Sequence, residues 1–319
     1  MRFVWLLALL LLADAAWTYL TLRRIEAAHP PTGVFVQTEA GRIHVRRRDP
    51  AGAARADVAL LHGASGNGAD VMEALGDRLA GAGFRVWAPD RPGHGWSERG
   101  MSHTDVASPA AQARVLRAAL EGLGVQAPIV VGHSWSGALA ENFVLDHADW
   151  ARGAVLLAPV THPWPGGIAW HYNVAGLPVL GAGFAAIVAL PVGLVVLDAA
   201  IGAVFAPQTP PPGYAARTGA RLVLRPSEFT ANAADVAALK GFVTVQAPRE
   251  PDIRRPVAIV AGDADKVVTT AIHSVASAKA IPGAMLTILP GVGHSPHWAA
   301  PDVVVGAVED VFARAALRD

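Results

Sequence analysis

No cysteine occurs among the 319 residues. That excludes disulfides, Cys-ligated zinc and cysteine nucleophiles together, and leaves the redox compartment open. Charge is also scarce. Only 16% of residues are charged, and 26 Lys+Arg balance 26 Asp+Glu to a formal net charge of zero. Sparse, balanced charge offers no electrostatic footprint for nucleic acid. The triplet Arg46-Arg47-Arg48 reads as the solvated end of a strand, because nothing basic or aromatic accompanies it. There is no P-loop and no HExxH, and the glycines of GASGNG (63–68) lack the order of a dinucleotide fingerprint. Neither a nucleotide, a metal nor another cofactor is therefore expected. No internal repeat occurs. What the chain does have is apolar character, 52% of its residues, which argues against disorder and for a full core.

The first 22 residues stand apart. FVWLLALLLLA (3–13) is followed by Asp14, AAWTYLTL (15–22) and Arg23-Arg24. The unbroken run is as short as a signal-peptide core, and Ala13-Asp14-Ala15 loosely resembles a cleavage site. Read through Asp14, the segment reaches the roughly 20 residues of a spanning helix, with Trp17 and Tyr19 near its end, where interfacial aromatics belong. Membrane contact through residues 3–22 is expected. A cleaved signal, giving a periplasmic or secreted protein, and a soluble helix are the alternatives. The balanced flanking charges leave the side of the membrane open.

Beyond Pro30-Pro31 short apolar runs recur, each closed by Gly, Pro or Asp. GVFVQT (33–38) and RIHVRR (42–47) alternate like a hairpin. DVALLHG (57–63), FRVWAPD (84–90), APIVVGHS (127–134), GAVLLAP (153–159), RPVAIVAGD (255–263) and AMLTILPG (284–291) are continuous, as strands buried on both faces require. Helical spacing fills 69–83, 105–124, 136–148, 269–280 and 300–317. This alternation predicts an α/β fold, a mostly parallel sheet with helices on both faces and ligands along the strand C-terminal edge. The pattern fails between about 160 and 250, a region rich in Pro, Gly and aromatics that reads as an insertion over that edge. Within it, 174–197 carries no charge. Its prolines and glycines favour packed cap helices over a membrane span.

Gly132-His133-Ser134-Trp135-Ser136 lies directly after a strand and before a helix. An abrupt strand-to-helix turn brings the residues two before and two after its tip together, so both must be small, and the tip side chain stands clear of the sheet. Ser134 fits this as a nucleophile. Ser136, flanked by Ser134 and Ala138, is the alternative, but Ile129-Val130-Val131 followed by Gly132 places the turn earlier.

On these residues the chain resembles the α/β-hydrolase family over nearly everything after residue 30. His62-Gly63-Ala64 is similar to that family's oxyanion turn. Residues 90–97, DRPGHGWS, resemble its D-x-x-G-x-G-x-S loop, 262–268 its acid loop, and Gly291-Val292-Gly293-His294 the segment presenting its histidine. The resemblance implies an eight-stranded α/β-hydrolase core at 30–160 and 250–319, and a hydrophobic cap, or lid, at 161–249. It implies oxyanion donors at the backbone N–H groups of Ala64 and Trp135. A serine hydroxyl needs a base, and His294 sits past the last strand among glycines. An acid must orient that base. Asp265 fits, Asp263 is its rival as a turn residue, and no carboxylate follows GAVLLAP. His62, His133 and His94 read as supports of their turns.

The expected activity is hydrolysis of an apolar, possibly lipid-like carboxylic ester, with a small-molecule substrate as partner. Trp164, Trp170, Phe184 and His297 are the pocket candidates. A cofactor-free perhydrolase and a carbon–carbon bond hydrolase share the triad. Epoxide hydrolases and dehalogenases of this fold usually place Asp where Ser134 stands. A non-enzymatic membrane-associated binding protein is the reading from another class.

Overall fold

The computed structural model describes residues 2–100, 105–177 and 180–317, with the side chains of 2–4 and 6–12 outside the described residues. Helix α1 (Arg2–Ala28) leads into the hairpin β1 (Val34–Thr38) and β2 (Gly41–Arg48). Then follow β3 (Asp57–Leu61), α2 (Gly68–Gly81), β4 (Arg85–Pro89), α3 (Pro109–Gly122), β5 (Ile129–His133), α4 (Ser136–Asp146) and β6 (Gly153–Leu157). Helices α5 (Trp170–Ala175), α6 (Leu180–Phe184), α7 (Leu190–Phe205), α8 (Tyr214–Arg217) and α9 (Pro226–Gln246) separate β6 from β7 (Val257–Gly262). A π turn, Ala185–Ala189, joins α6 to α7, and 3-10 turns lie at Ala220–Leu224 and Ala247–Asp252. The chain continues through α10 (Ser274–Ala280), β8 (Met285–Leu289), α11 (Pro296–Ala299) and α12 (Pro301–Ala316).

All eight expected strands form one sheet, in the order β1-β2-β4-β3-β5-β6-β7-β8. Pairing is antiparallel for β1–β2 and β2–β4 and parallel from β4 to β8. Strands β3, β5, β6 and β7 are buried along their whole length, which is why they read as unbroken apolar runs rather than alternating ones. One core lies between the sheet and α3 and α4, built on Leu116, Leu120, Leu139 and Phe143. The other lies against α2 and α12, built on Leu75, Leu79, Val308 and Val311.

Two helices start later than their spacing predicts. Ser108 caps α3 by accepting from Ala111 N at 3.2 Å, and Pro109 takes the first position, where a missing N–H costs nothing. Residues 270–273 form turns because Thr270 Oγ1 donates to Gly262 O at 2.6 Å, tying the chain back to the end of β7.

The chain runs from β3 to β4 on one side and then crosses to β5 on the other. The order reverses between β3 and β5, so a crevice opens where Gly63-Ala64 and Ser134 leave their strands. The described helices between β6 and β7 lie over this edge.

Candidate functional site

Ser134 occupies the tip between β5 and α4 with φ 54°, a left-handed conformation costing about 1–3 kcal/mol for a non-glycine residue. The turn is held open-ended by its neighbours. A Cβ at Gly132 would strike Ser136 O and lie 2.7 Å from the Ala140 methyl, so only glycine lets the helix fold back this tightly. Ser134 N donates to Leu157 O at 2.9 Å, and Ser134 O accepts from Gly137 N at 2.8 Å. Ser136 is fully buried, and its Oγ donates to His62 O at 2.5 Å. The second serine thus ties the elbow to the turn after β3.

His294 Nε2 lies 2.8 Å from Ser134 Oγ, and His294 Nδ1 lies 2.8 Å from Asp265 Oδ2. A carboxylate only accepts, so the proton on Nδ1 belongs to the Asp265 bond. Nε2 is left as the lone pair facing the Ser134 hydroxyl. Asp265 is itself fixed, since its Oδ1 accepts from Val267 N at 2.8 Å and Val268 N at 2.9 Å. Its side chain is 1% exposed and that of His294 4%, which keeps water from competing for these bonds. Asp263 stays exposed and accepts from Gly291 N at 2.7 Å, a turn contact.

The N–H groups of Ala64 and Trp135 donate no hydrogen bond among the described residues. Ala64 is set by its neighbours: Ser65 N donates to Asn232 Oδ1 at 2.8 Å, and Asn232 Nδ2 donates to Ser65 Oγ at 3.0 Å. Asn232 belongs to α9, so the insertion positions the turn after β3.

The remaining histidines near the site support it. His62 Nε2 accepts from Arg91 N at 2.9 Å, and burial together with the Arg91 charge pushes its pKa down to about 3. His94 accepts from Arg91 Nη2 at 3.1 Å and is held neutral, first by burial. His133 Nε2 donates to His294 O at 2.8 Å, and burial depresses its pKa as well.

A family model described as "alpha/beta hydrolase fold" matches residues 58–301. The chain belongs to the alpha/beta hydrolase fold family. Protein ABHD14A of Danio rerio is 36% identical over 108 residues, which are 33% of this chain and 38% of that relative. The uncharacterized protein Rv2715 of Mycobacterium tuberculosis is 28% identical over 302 residues, covering 90% of this chain and 83% of its own. Among solved structures, "Est816 as an N-Acyl homoserine lactone degrading enzyme" is 24% identical with a TM-score of 0.64, covering 87% of this chain and 99% of its own.

Beside the elbow of this alpha/beta hydrolase lies a cavity of about 230 Å³. Gly63, Ala64, His133 and Ser295 form its floor, and Tyr172, Leu197, Ile201, Val204, Phe205 and Tyr214 its walls. None of the four residues expected from the sequence is among those lining it. Trp170 is 67% exposed on the outside of α5. Phe184 packs toward Trp170 and Phe229, and Trp164 leans against His273 under Lys240. His297 lies behind the floor, its ring tilted against His133 with centroids 4.4 Å apart.

His297 also approaches Asp70, with Nε2 3.5 Å from Oδ2. Asp70 Oδ1 accepts from Tyr214 Oη and Trp298 Nε1, both at 2.9 Å. Burial raises the Asp70 carboxyl, but His297, His133 and Trp298 together hold it below the ordinary range. Asp70, His133 and His297 are the one group of described residues with the donor set for a cation, their ligand atoms lying within 4.8 Å of one another.

Sequence reasoning passed over Asn232, Asp235 and Arg91. Glu228, Asn232 and Asp235 are all buried on α9, and their spacing of four and three was the available signal: a polar stripe at helical period faces something polar.

Proposed function

We propose that this chain is a serine hydrolase that cleaves a carboxylic ester of an apolar substrate through an acyl-enzyme on Ser134. The observation that carries the reading is the run of two 2.8 Å contacts from Ser134 through His294 to Asp265, together with two N–H groups that have no acceptor among the described residues. His294 Nε2 takes the hydroxyl proton as Ser134 Oγ attacks the carbonyl carbon. The carbonyl oxygen becomes an oxyanion that accepts from Ala64 N–H and Trp135 N–H, each such donor contributing roughly 3 kcal/mol. His294 then returns the proton to the leaving alcohol oxygen. Water, deprotonated by the same imidazole, cleaves the acyl ester and frees Ser134. The Asp265 carboxylate stabilises the imidazolium at both stages.

The apolar cavity wall supports an acyl chain as the part of the substrate it holds. Its volume, about 230 Å³, lies just under the roughly 300–1,000 Å³ of ordinary ligand pockets, which favours short and medium chains unless α7 moves. A lactone is a cyclic ester, so the lactone degradation described for Est816 supports the same bond class. Helix α1, 27 residues long, reaches about 40 Å at 1.5 Å per residue, which supports membrane contact through residues 3–22.

The test is hydrolysis of p-nitrophenyl esters from acetate to palmitate by wild type and Ser134→Ala. Turnover of the shorter esters that disappears in Ser134→Ala is expected. Absence of turnover across the series in the wild type, with no labelling by a serine-directed phosphonate, would favour the binding-protein reading.

A further inference from the structure

Helix α7 has two unlike faces. Leu190, Leu194 and Leu197 pack with Ile25 and Leu22 of α1, and Leu197, Ile201, Val204 and Phe205 wall the cavity. The opposite face carries Val192, Val195 and Val196, exposed by 52%, 83% and 46%, and Val188 of the preceding π turn, exposed by 40%, continues it. Their spacing makes one continuous stripe. The helical stretch Leu180–Phe205 reaches a mean hydropathy of 2.4 over its most apolar window, of which only 22% is buried. Asp198 is its one charge, and residues 180–197 offer no hydrogen-bonding side chain. On the adjoining α1, Trp17, Tyr19 and Leu20 are exposed. Arg23, Arg24 and Arg221 are exposed as well, where α1 meets the 3-10 turn, and make no ion pair among the described residues.

We propose that the outer face of α7, with the exposed aromatics of α1, docks in plane on an anionic lipid bilayer, so that the cavity takes up substrate directly from lipid. Spanning is excluded for α7, because its inner face is committed to the cavity wall and the core of the insertion. A protein interface distributes about one hydrogen bond per 100–200 Å², and this stripe provides none. An apolar stripe with interfacial aromatics and a basic fringe is instead the pattern of a helix lying at the headgroup boundary. Docking goes beyond the ester reading and stands without it.

Since the chain has no cysteine, Val195→Cys in the full chain carries an environment-sensitive dye at one place only. Vesicles of phosphatidylglycerol and phosphatidylethanolamine with brominated acyl chains should quench this dye and shift it to the blue. A dye on Glu121→Cys, an exposed position at the opposite edge of the sheet, should not respond. Val192→Asp with Val195→Asp should cut turnover of a vesicle-borne ester about tenfold and leave a short soluble ester unchanged. Vesicles that retain the protein without quenching position 195 would mean that α1 tethers alone, and would overturn the proposal. So would failure to bind vesicles, or concentration-dependent burial of the dye without lipid, which would make this face a contact between copies. Quenching is read without catalysis, so it fails or succeeds apart from the ester reading.

Discussion

Replacing Asp235 with alanine should destabilise the protein far more than a typical helix-surface substitution. Asp235 lies on α9 with no exposure, and its Oδ2 accepts from Arg91 Nη1 at 2.7 Å and Gln112 Nε2 at 2.8 Å. Its Oδ1 accepts from Arg99 Nη1 at 2.9 Å. Arg91 is itself fully buried over the Trp135 ring at 4.0 Å, and burial pulls its pKa down to about 10 even with Asp235 present. Truncating the acid strips a buried guanidinium of its ion-pair partner, which costs about 3–5 kcal/mol. Set against a total stability of roughly 5–15 kcal/mol, that is about a fifth of the whole or more. Removing both charges, as Arg91→Met with Asp235→Leu, should cost clearly less than the two single changes added together, with a coupling of about 1–3 kcal/mol. Urea unfolding followed by tryptophan fluorescence reads Asp235→Ala, the singles Arg91→Met and Asp235→Leu, and their double variant, provided the slope is unchanged. A loss below 1 kcal/mol for Asp235→Ala, or strict additivity in the cycle, would refute the reasoning.

Ser136→Ala removes the 2.5 Å bond to the buried His62 carbonyl and should cost about 1–3 kcal/mol of stability, measured by urea unfolding, while keeping turnover measurable. Stability should also peak in mildly acidic solution. Burial raises Glu228 from its ordinary 4.5 to about 7, against the pull of Arg225, and raises Glu250 to about 7 as well. Glu141, buried beside Glu250, is raised too. The native state therefore holds extra protons, and this stability is lost as pH rises from 4.5 through 7. Burial lowers His62 to about 3 and His273 to about 4, so their contribution is lost as pH falls from 6.5 through those values. Thermal unfolding across pH should show a maximum between 4.5 and 6.5, and Glu228→Gln should flatten its alkaline side.

The sheet and the elbow were legible because their determinants are local. A strand buried on both faces must be apolar throughout, and a turn as tight as the one at Ser134 admits only small flanking residues, so both leave marks within a dozen positions. The cavity was not legible. Helix α7 is apolar all round, so no stripe in its sequence tells the face that walls the cavity from the face left exposed. Aromatic size drew the expectation to Trp164, Trp170 and Phe184, whereas aliphatic residues of α7 with Tyr172 and Tyr214 took the place. On its own, Asp235 carried no mark of its role in the sequence. Its partners come from the loop after β4 and from α3, more than a hundred residues earlier, and only the fold joins them.

The most direct measurement of the central claim is to react the protein with a serine-directed fluorophosphonate and locate the adduct by peptide mass mapping. The account predicts one adduct, on Ser134, retained in Ser136→Ala and lost in Ser134→Ala. An adduct on Ser136, or none on the folded wild type, would contradict it.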